Sequence, residues 1–307
     1  MEKILDTNDE WITTRTGVRE RRIAKKEEAT SHLALRAAQN ALDNAGVKAE
    51  EIDLIIMATL TSDRIIPSTA CILQHELGAK KAAAFDLSAA CSGFVYSLDV
   101  ANQFIKAGTY EKILVIGGET LSKFVDYEDR STAILFGDGA GAAVVGRVEE
   151  GYGFLAFDVG SDGSGGDYIN IPSSGSRSPV SAETIASRDN LIHMDGKETF
   201  KFAVKIMGHS TLEALKKIGE TEEILDWLVP HQANIRIIEA AAKRVNLPME
   251  KVIVNIDKYG NTSAGTIPIA LAEAHEAKLF KKGDIIALSG FGAGLTWGSA
   301  IIKWSIA

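Results

Sequence analysis

Two segments decide how this chain folds: Ala41-Leu-Asp-Asn-Ala-Gly46 with Asp53-Leu-Ile-Ile56 and, 173 positions on, Ala214-Leu-Lys-Lys-Ile-Gly219 with Asp226-Trp-Leu-Val229. The register persists downstream. Leu98 falls on Leu271 inside two helical patterns, and Ile113-Leu-Val-Ile-Gly117 falls on Ile286-Ala-Leu-Ser-Gly290 inside two unbroken apolar runs. Four matches at one offset point to a duplicated unit.

Periodicity gives the unit its elements. Apolar residues at Leu33, Ala34, Ala37, Ala38, Ala41, Leu42 and Ala45 follow helical spacing, with Thr30 or Ser31 as start cap and Gly46 as end cap. Leu54–Ala58 and Ala82–Leu87 are short apolar runs of the kind a parallel strand needs when both its faces are covered. Ser92–Ala107 is apolar nearly all round and is expected to be a core helix, followed by a strand at Ile113–Gly117. The second copy repeats the order: a helix over Phe202–Gly219, strands at Trp227–Val229 and Val252–Ile256, a helix over Ile267–Lys278 and a strand at Ile285–Ser289. The expected fold is α/β, with right-handed crossovers building two parallel-rich layered sheets. The halves span 1–148 and 201–307. Between them, 149–200 turns rich in Gly and Ser but keeps Tyr152, Phe154, Phe157 and Tyr168, so it reads as hairpins and a loop roofing the site.

Composition narrows the function. A net charge of −8 argues against gripping phosphate backbones, the chain has no apolar run long enough to cross a bilayer, and Met1–Asp6 lacks the charged-then-apolar layout expected of a signal peptide. Two cysteines cannot frame a disulfide-rich fold, and no histidine is spaced with them to clamp a metal. The expected protein is cytoplasmic and binds neither nucleic acid nor membrane.

In a duplicated α/β unit the carboxyl ends of strands, and the helix starts after them, are where chemistry collects. Cys91 lies there, in Phe85-Asp-Leu-Ser-Ala-Ala-Cys91-Ser-Gly-Phe94, where free amides and the helix dipole favour the reactive thiolate. The alternative is a small buried hydrophobe, a description that fits Cys71 better. His231, in Trp227-Leu-Val-Pro-His231-Gln-Ala-Asn234, takes the matching strand end of the other half, where the offset gives Ala58 in the first. It is either an acquired functional group or a core histidine with satisfied nitrogens. Asn261, in Tyr259-Gly-Asn261-Thr-Ser-Ala-Gly265, is a common turn residue after glycine, yet it aligns near the position of the cysteine. A pseudo-twofold axis brings Cys91, His231 and Asn261 toward one cavity. Of two glycine-rich loops, Phe136-Gly-Asp-Gly-Ala-Gly141 has the wrong spacing for a dinucleotide fingerprint. The other, Gly290-Phe-Gly-Ala-Gly-Leu-Thr-Trp-Gly298, permits close backbone approach and offers amides to an oxyanion.

Together these stretches resemble the condensing enzymes of the thiolase superfamily, most closely the β-ketoacyl-[acyl-carrier-protein] synthase III family. The resemblance runs nearly end to end, through Asp9-Glu-Trp-Ile-Thr-Thr-Arg-Thr-Gly17, Ala89-Ala-Cys-Ser-Gly-Phe94, Asp129-Arg130, Phe136-Gly-Asp-Gly-Ala-Gly-Ala142, Val229-Pro-His-Gln-Ala-Asn-Ile-Arg236, Gly260-Asn-Thr-Ser-Ala264 and Leu295-Thr-Trp-Gly-Ser299. It implies a thiolase-like fold of five layers, α-β-α-β-α, and a homodimer. It further implies that Cys91 is acylated by an acyl-coenzyme A and condensed with malonyl-acyl carrier protein, with His231 and Asn261 steadying the enolate. No cofactor or metal is implied beyond the coenzyme A thioester itself as substrate. Trp11, Arg15, Arg130 and Gly196 are expected along the coenzyme A path, Arg236 and Lys243 at the carrier-protein docking site, and Phe136 and Phe291 around the acyl pocket, with Ile66 reaching into it from across the dimer. The backbone amides of Cys91 and Ala293 are expected to hold the oxyanion.

Four departures stand out. The chain begins almost directly at the Asp-Glu-Trp segment, where the family usually has a preceding strand; Ala293 replaces a common glycine; Lys197 replaces a common Asn after Gly196. Ile66, branched and medium-sized, predicts short primers. Competing readings are a polyketide-type condensing enzyme, a cysteine thioester hydrolase and a binding module with an inert thiol. A hydroxymethylglutaryl-coenzyme A synthase needs a carboxylic acid for proton transfer, which the Asn261 motif lacks.

Overall fold

The computed structural model describes residues 1–306. After α1 (Asp9–Thr16), the first half runs α2 (Thr30–Ala45), β1 (Leu54–Ala58), α3 (Thr69–Leu77), β2 (Ala83–Leu87), α4 (Gly93–Lys106), β3 (Lys112–Thr120), α5 (Arg130–Ala133) and β4 (Asp138–Gly146). Next come β5 (Gly153–Ser161), β6 (Ile169–Asn170), α6 (Ala182–Ala186) and β7 (His193–Met194). The second half is α7 (Gly196–Lys216), β8 (Trp227–Pro230), α8 (Ile235–Arg244), α9 (Ile256–Tyr259), α10 (Thr266–Glu276), β9 (Ile285–Gly292) and β10 (Thr296–Lys303).

Two four-stranded sheets form, ordered β2-β1-β3-β4 and β5-β10-β9-β8. All five residues of β1 are buried because both faces of its sheet are covered. Successive side chains alternate: Ile56 and Val115 face the middle of the molecule, while Ile55, Met57, Leu114 and Ile116 face outward against Ala34, Ala38 and Leu42 of α2 and Leu73 of α3. The middle layer is α4 and α10, whose Phe94, Leu98, Ile267 and Ala270 fill the space between the sheets and meet Val229 and Leu288 from the other side. α7 and α8 cover the outer face of the second sheet through Ala203, Met207, Ile238 and Ala241. The order is therefore helix, sheet, helix, sheet, helix.

Several expectations need correction. Thr30 and Ser31 do not cap α2: Thr30 bonds Thr61 and Thr120, Ser31 bonds Asp63, and His32 Nδ1 takes the Ala29 amide. α7 begins at Gly196, ahead of the expected Phe202, because Asp195 accepts from the amides of Lys197 and Glu198. Val252–Ile256 is not a strand. It makes one bridge, Val252 to Leu228, and then the amides of Asn255 and Ile256 turn to the Gln232 side chain. The second sheet is mainly antiparallel: only β8–β9 is parallel, and β10 runs antiparallel to both neighbours. β5, in the stretch read as an insertion, is one of its strands. The remainder of that stretch carries the small antiparallel β6–β7 pair, with α6 in the connection between them, and is tied down by Arg188, 2.7 Å from Asp126.

The halves meet through glycines. A Cβ on Gly117 of β3 would overlap the carbonyl oxygen of Ala264 in the second half, and one on Gly292 of β9 would lie 2.6 Å from the amide nitrogen of Cys91 in the first. Gly117→Ala therefore forces the loop after Asn261 away from β3. We expect it to lower stability by about 1–3 kcal/mol, read by urea unfolding, and to remove Cys91 acylation.

Candidate active site

A cavity of about 730 Å³ opens where the two halves abut, and Cys91, His231 and Asn261 all line it. Cys91 sits in a tight turn, Ala90–Ser92, between β2 and α4. Ala90 adopts φ +46°, and Thr296 Oγ1 pins the turn by donating to the Ala89 carbonyl at 3.0 Å. The chain thus bends sharply enough to present the thiol at the start of α4. Burial pushes the thiol up to about 12, opposed by the Ser263 hydroxyl, while the buried Glu119 carboxyl pushes it further up. At rest Cys91 is a thiol: the helix start favours thiolate, as the sequence suggests, but desolvation outweighs it.

His231 follows β8, and its amide donates to the Ser289 carbonyl at 2.7 Å. The next residue, Gln232, clamps the loop: its Nε2 donates to Pro230 and Ile253, and its Oε1 accepts from Asn255 and Ile256. Burial lowers the imidazole to about 3, so it is neutral at ordinary pH. Its Nδ1 lies 2.7 Å from Thr266 Oγ1, which in turn reaches the Ser263 carbonyl at 2.9 Å. The hydroxyl has one hydrogen. Donated to Ser263, it leaves Nδ1 protonated and Nε2 a base; donated to Nδ1, it leaves Nε2 a donor.

Asn261 is fixed through its backbone, the amide donating to Leu135 at 2.9 Å and the carbonyl accepting from Gly137 at 3.0 Å. Its Oδ1 accepts from the Ser263 amide at 2.8 Å, which leaves the carboxamide NH₂ for the cavity.

Trp11 and Arg15 line the same cavity, at its outer end. The Arg15 and Arg130 guanidiniums lie 4.7 and 4.5 Å from the Trp11 ring, a cationic and aromatic surface for a flat, anionic ligand. Gly196, Phe136, Phe291, Ala293 and Arg236 also line the wall, and Arg236 lies 5.3 Å over the Phe200 ring. Ala293 has no positive φ; Gly294, at +137°, takes that burden, so the alanine costs nothing. Lys197 is exposed. Lys243 and Ile66 stand apart from the cavity: Lys243 is exposed on α8, and Ile66 is 81% exposed.

Residues 85–163 match the family described as 3-oxoacyl-[acyl-carrier-protein (ACP)] synthase III, and residues 215–304 match its C-terminal part. The chain is 58% identical over 305 residues to the β-ketoacyl-[acyl-carrier-protein] synthase III of Caldanaerobacter subterraneus subsp. tengcongensis, with 99% of this chain and 92% of that one covered. It belongs to the β-ketoacyl-[acyl-carrier-protein] synthase III family. The enzyme of that name from Clostridioides difficile is 56% identical, over 99% of this chain and 93% of its own. Among solved structures of the family, that from Aquifex aeolicus superposes with a TM-score of 0.90 at 50% identity, covering 99% of this chain and 93% of that one. That from Thermus thermophilus gives 0.91 at 47%, covering 100% and 94%. The fold is thiolase-like, and the chain is a condensing acyltransferase.

Sequence reading missed four contributors to this synthase III site: the Gln232 clamp, Thr266 behind the histidine, the Ser263 hydroxyl, and Glu119. Only Glu119 left a signal, as a carboxylate closing an otherwise apolar strand.

A neutral buried imidazole has a pH signature. Its folded pKa lies below the ordinary 6.5, so between about 3 and 6.5 the unfolded chain binds more protons. The stabilisation is complete above 6.5 and is lost as pH falls. Wild type should lose stability relative to His231→Gln on going from pH 7 to 5, by up to ~1.4 kcal/mol per pH unit, measured by chemical denaturation.

Proposed function

We propose that this chain starts fatty acid synthesis by joining a short acyl-coenzyme A primer to malonyl-acyl carrier protein, giving a β-ketoacyl-acyl carrier protein, coenzyme A and carbon dioxide. The observation carrying this is that the thiol, the imidazole and the carboxamide converge on one cavity that also reaches the Trp11–Arg15 surface.

Cys91 attacks the thioester carbonyl, and the amides of Cys91 and Ala293 hold the oxyanion until coenzyme A leaves. Malonyl-acyl carrier protein then loses carbon dioxide. The enolate oxygen is steadied by the Asn261 NH₂ and by His231 in the form whose Nε2 is a donor, with Thr266 turned toward Nδ1. Two neutral donors suit this step, because a carboxylate in place of Asn261 would repel the developing charge. Trp11, Arg15 and Arg130 take the adenine end of coenzyme A, and Gly196 lies along its pantetheine arm. Phe136 and Phe291 wall the acyl group.

Arg236, at the cavity mouth, and Lys243, seven residues on along α8, form a basic spot on an acidic protein, which suits an acidic carrier protein. A second copy of the chain fits the free edge of β2. Supporting this, Ile65 and Ile66 are 88% and 81% exposed beside that edge, more apolar surface than a lone chain usually leaves in water. Paired there, Ile66 would reach the partner's acyl pocket and favour short primers.

Incubation with acetyl-coenzyme A should leave a stable acetyl mass on the Cys91 peptide; rapid loss of the label would favour a hydrolase, and no label would favour an inert thiol. Arg236→Glu should reduce condensation with malonyl-acyl carrier protein about tenfold or more while sparing acyl transfer from coenzyme A. Equal loss in both half-reactions would remove the docking role.

A further inference from the structure

The two amides assigned to the oxyanion come from different halves, that of Cys91 from the turn before α4 and that of Ala293 from the loop between β9 and β10. Such donors act together only while their separation is fixed. Among the described residues, no backbone hydrogen bond joins the turn Ala90–Ser92 to the loop 293–295. Gly292 rests on the turn, and a Cβ there would lie 2.6 Å from the Cys91 amide nitrogen, but that packing only limits how near the two can come. Gly294, at φ +137°, gives the loop little conformational preference of its own.

One hydroxyl spans the gap. Thr296 Oγ1, at the start of β10, lies 3.0 Å from the Ala89 carbonyl of the first half and 3.1 Å from the Ala293 carbonyl of the loop. Its single hydrogen is shared between them as a three-centre bond. The wholly buried Ser92 completes the cluster: its Oγ lies 2.8 Å from Thr296 Oγ1 and 2.8 Å from the Ala89 carbonyl, and its hydrogen can go to either. The end of the loop is held separately, because Leu295 and Asp162 exchange both backbone bonds at 2.8 Å. Ala293, at its start, is held by Thr296. The Ala293 amide bonds no acceptor among the described residues and lies in the cavity wall with Cys91, free for a ligand.

We propose that Thr296 is a positioning residue for the oxyanion site: its hydroxyl ties the loop carrying the Ala293 amide to the turn carrying the Cys91 amide and so sets the spacing of the two donors. It acts through the two carbonyls and not on the substrate.

Ser92 decides what loss of that hydroxyl does. Without it, Ser92 still donates to the Ala89 carbonyl, so the nucleophile turn keeps its shape, whereas the Ala293 carbonyl loses its side-chain partner. The thiol stays in place and one oxyanion donor drifts. A reaction of Cys91 that builds negative charge on a carbonyl oxygen is slowed, and one that does not is spared.

The proposal rests on the oxyanion pair of the condensing reading, but two small reagents test it without coenzyme A or carrier protein. With p-nitrophenyl acetate, the Cys91 sulfur gives its proton to solvent and forms the new C–S bond; the carbonyl oxygen carries the charge until nitrophenolate leaves. With iodoacetamide the same sulfur displaces iodide, and no such charge forms. Both products are read by mass on the Cys91 peptide. Thr296→Val should slow acetylation about tenfold to a hundredfold and leave alkylation at the wild-type rate. Thr296→Ser keeps the hydroxyl and should restore acetylation. Equal loss in both reactions would show that the thiol itself has moved and would overturn the proposal, as would wild-type acetylation of Thr296→Val or no rescue by Thr296→Ser. Should Thr296→Val not fold, Thr296→Ala removes the same oxygen and must show the same split. With acetyl-coenzyme A, the variant should lower kcat and leave KM unchanged, because the contact is made only in the transition state. The split between the two reagents, in a chain that takes no acetyl group from acetyl-coenzyme A, would instead sink the condensing function and leave the Thr296 tie standing.

Discussion

Everything in this molecule depends on places where the halves come too close for a methyl group. Gly117 of the first half lies under the Ala264 carbonyl of the second, and Gly292 of the second lies against the Cys91 amide of the first. The contacts are reciprocal: each central strand ends on the other half's turn. Side chains at those strand ends would hold the turns apart, and the thiol, imidazole and carboxamide would then line separate surfaces. Glycine loses more backbone freedom on folding than any other residue, so its use here trades stability for proximity. The packed middle layer of α4 and α10 makes the trade possible, because large apolar residues fill the rest of the interface.

The environment created by this closeness is low in charge. Burial holds the imidazole unprotonated and the sulfur protonated, and amides and hydroxyls supply the remaining polar contacts. Such a site can stabilise an anion that appears only during reaction, because its donors are fixed and no counter-ion screens them. A resident positive charge would bind the anionic malonyl group before it reacted and so stabilise the ground state as well. The cationic residues are instead kept at the outer end, at Arg15, Arg130 and Arg236.

What the sequence disclosed follows from the same physics. β1 was readable to the residue because a strand buried on both faces has no alternation to misread, and α2 because its apolar face repeats over four turns. Cys91, His231 and Asn261 were legible because strand ends followed by turns are marked by Pro230, Gly93 and Gly260. Val252–Ile256 was misread because its β-branched composition suits a strand, whereas the amides of Asn255 and Ile256 are claimed by the Gln232 side chain from across the loop. Local propensity cannot anticipate a bond made at a distance. Ser263 and Thr266 were hidden for a similar reason. Their hydroxyls look like ordinary turn residues until the fold sets Ser263 against Glu119 and Thr266 against His231.

The duplication also explains where strain and chemistry sit. Ala90 and Ser263 occupy equivalent positions of the repeat, and both adopt positive φ, +46° and +49°. Each begins a tight turn, Ala90–Ser92 and Ser263–Gly265, that hands the chain to a central helix. Non-glycine residues rarely accept this conformation, and its presence in both copies makes it a feature of the unit rather than of either side chain. Chemistry is distributed differently. Cys91 is matched by Ala264, His231 by Ala58, and Glu119 by Gly292. Each reactive group therefore faces a small residue at the corresponding place in the other copy. That asymmetry is required by the reciprocal contact: where one half presents a reactive side chain, the other must leave room for it and for the substrate. Two copies of one backbone thus supply a symmetric frame, and the absence of side chains in alternate copies gives that frame a single cavity.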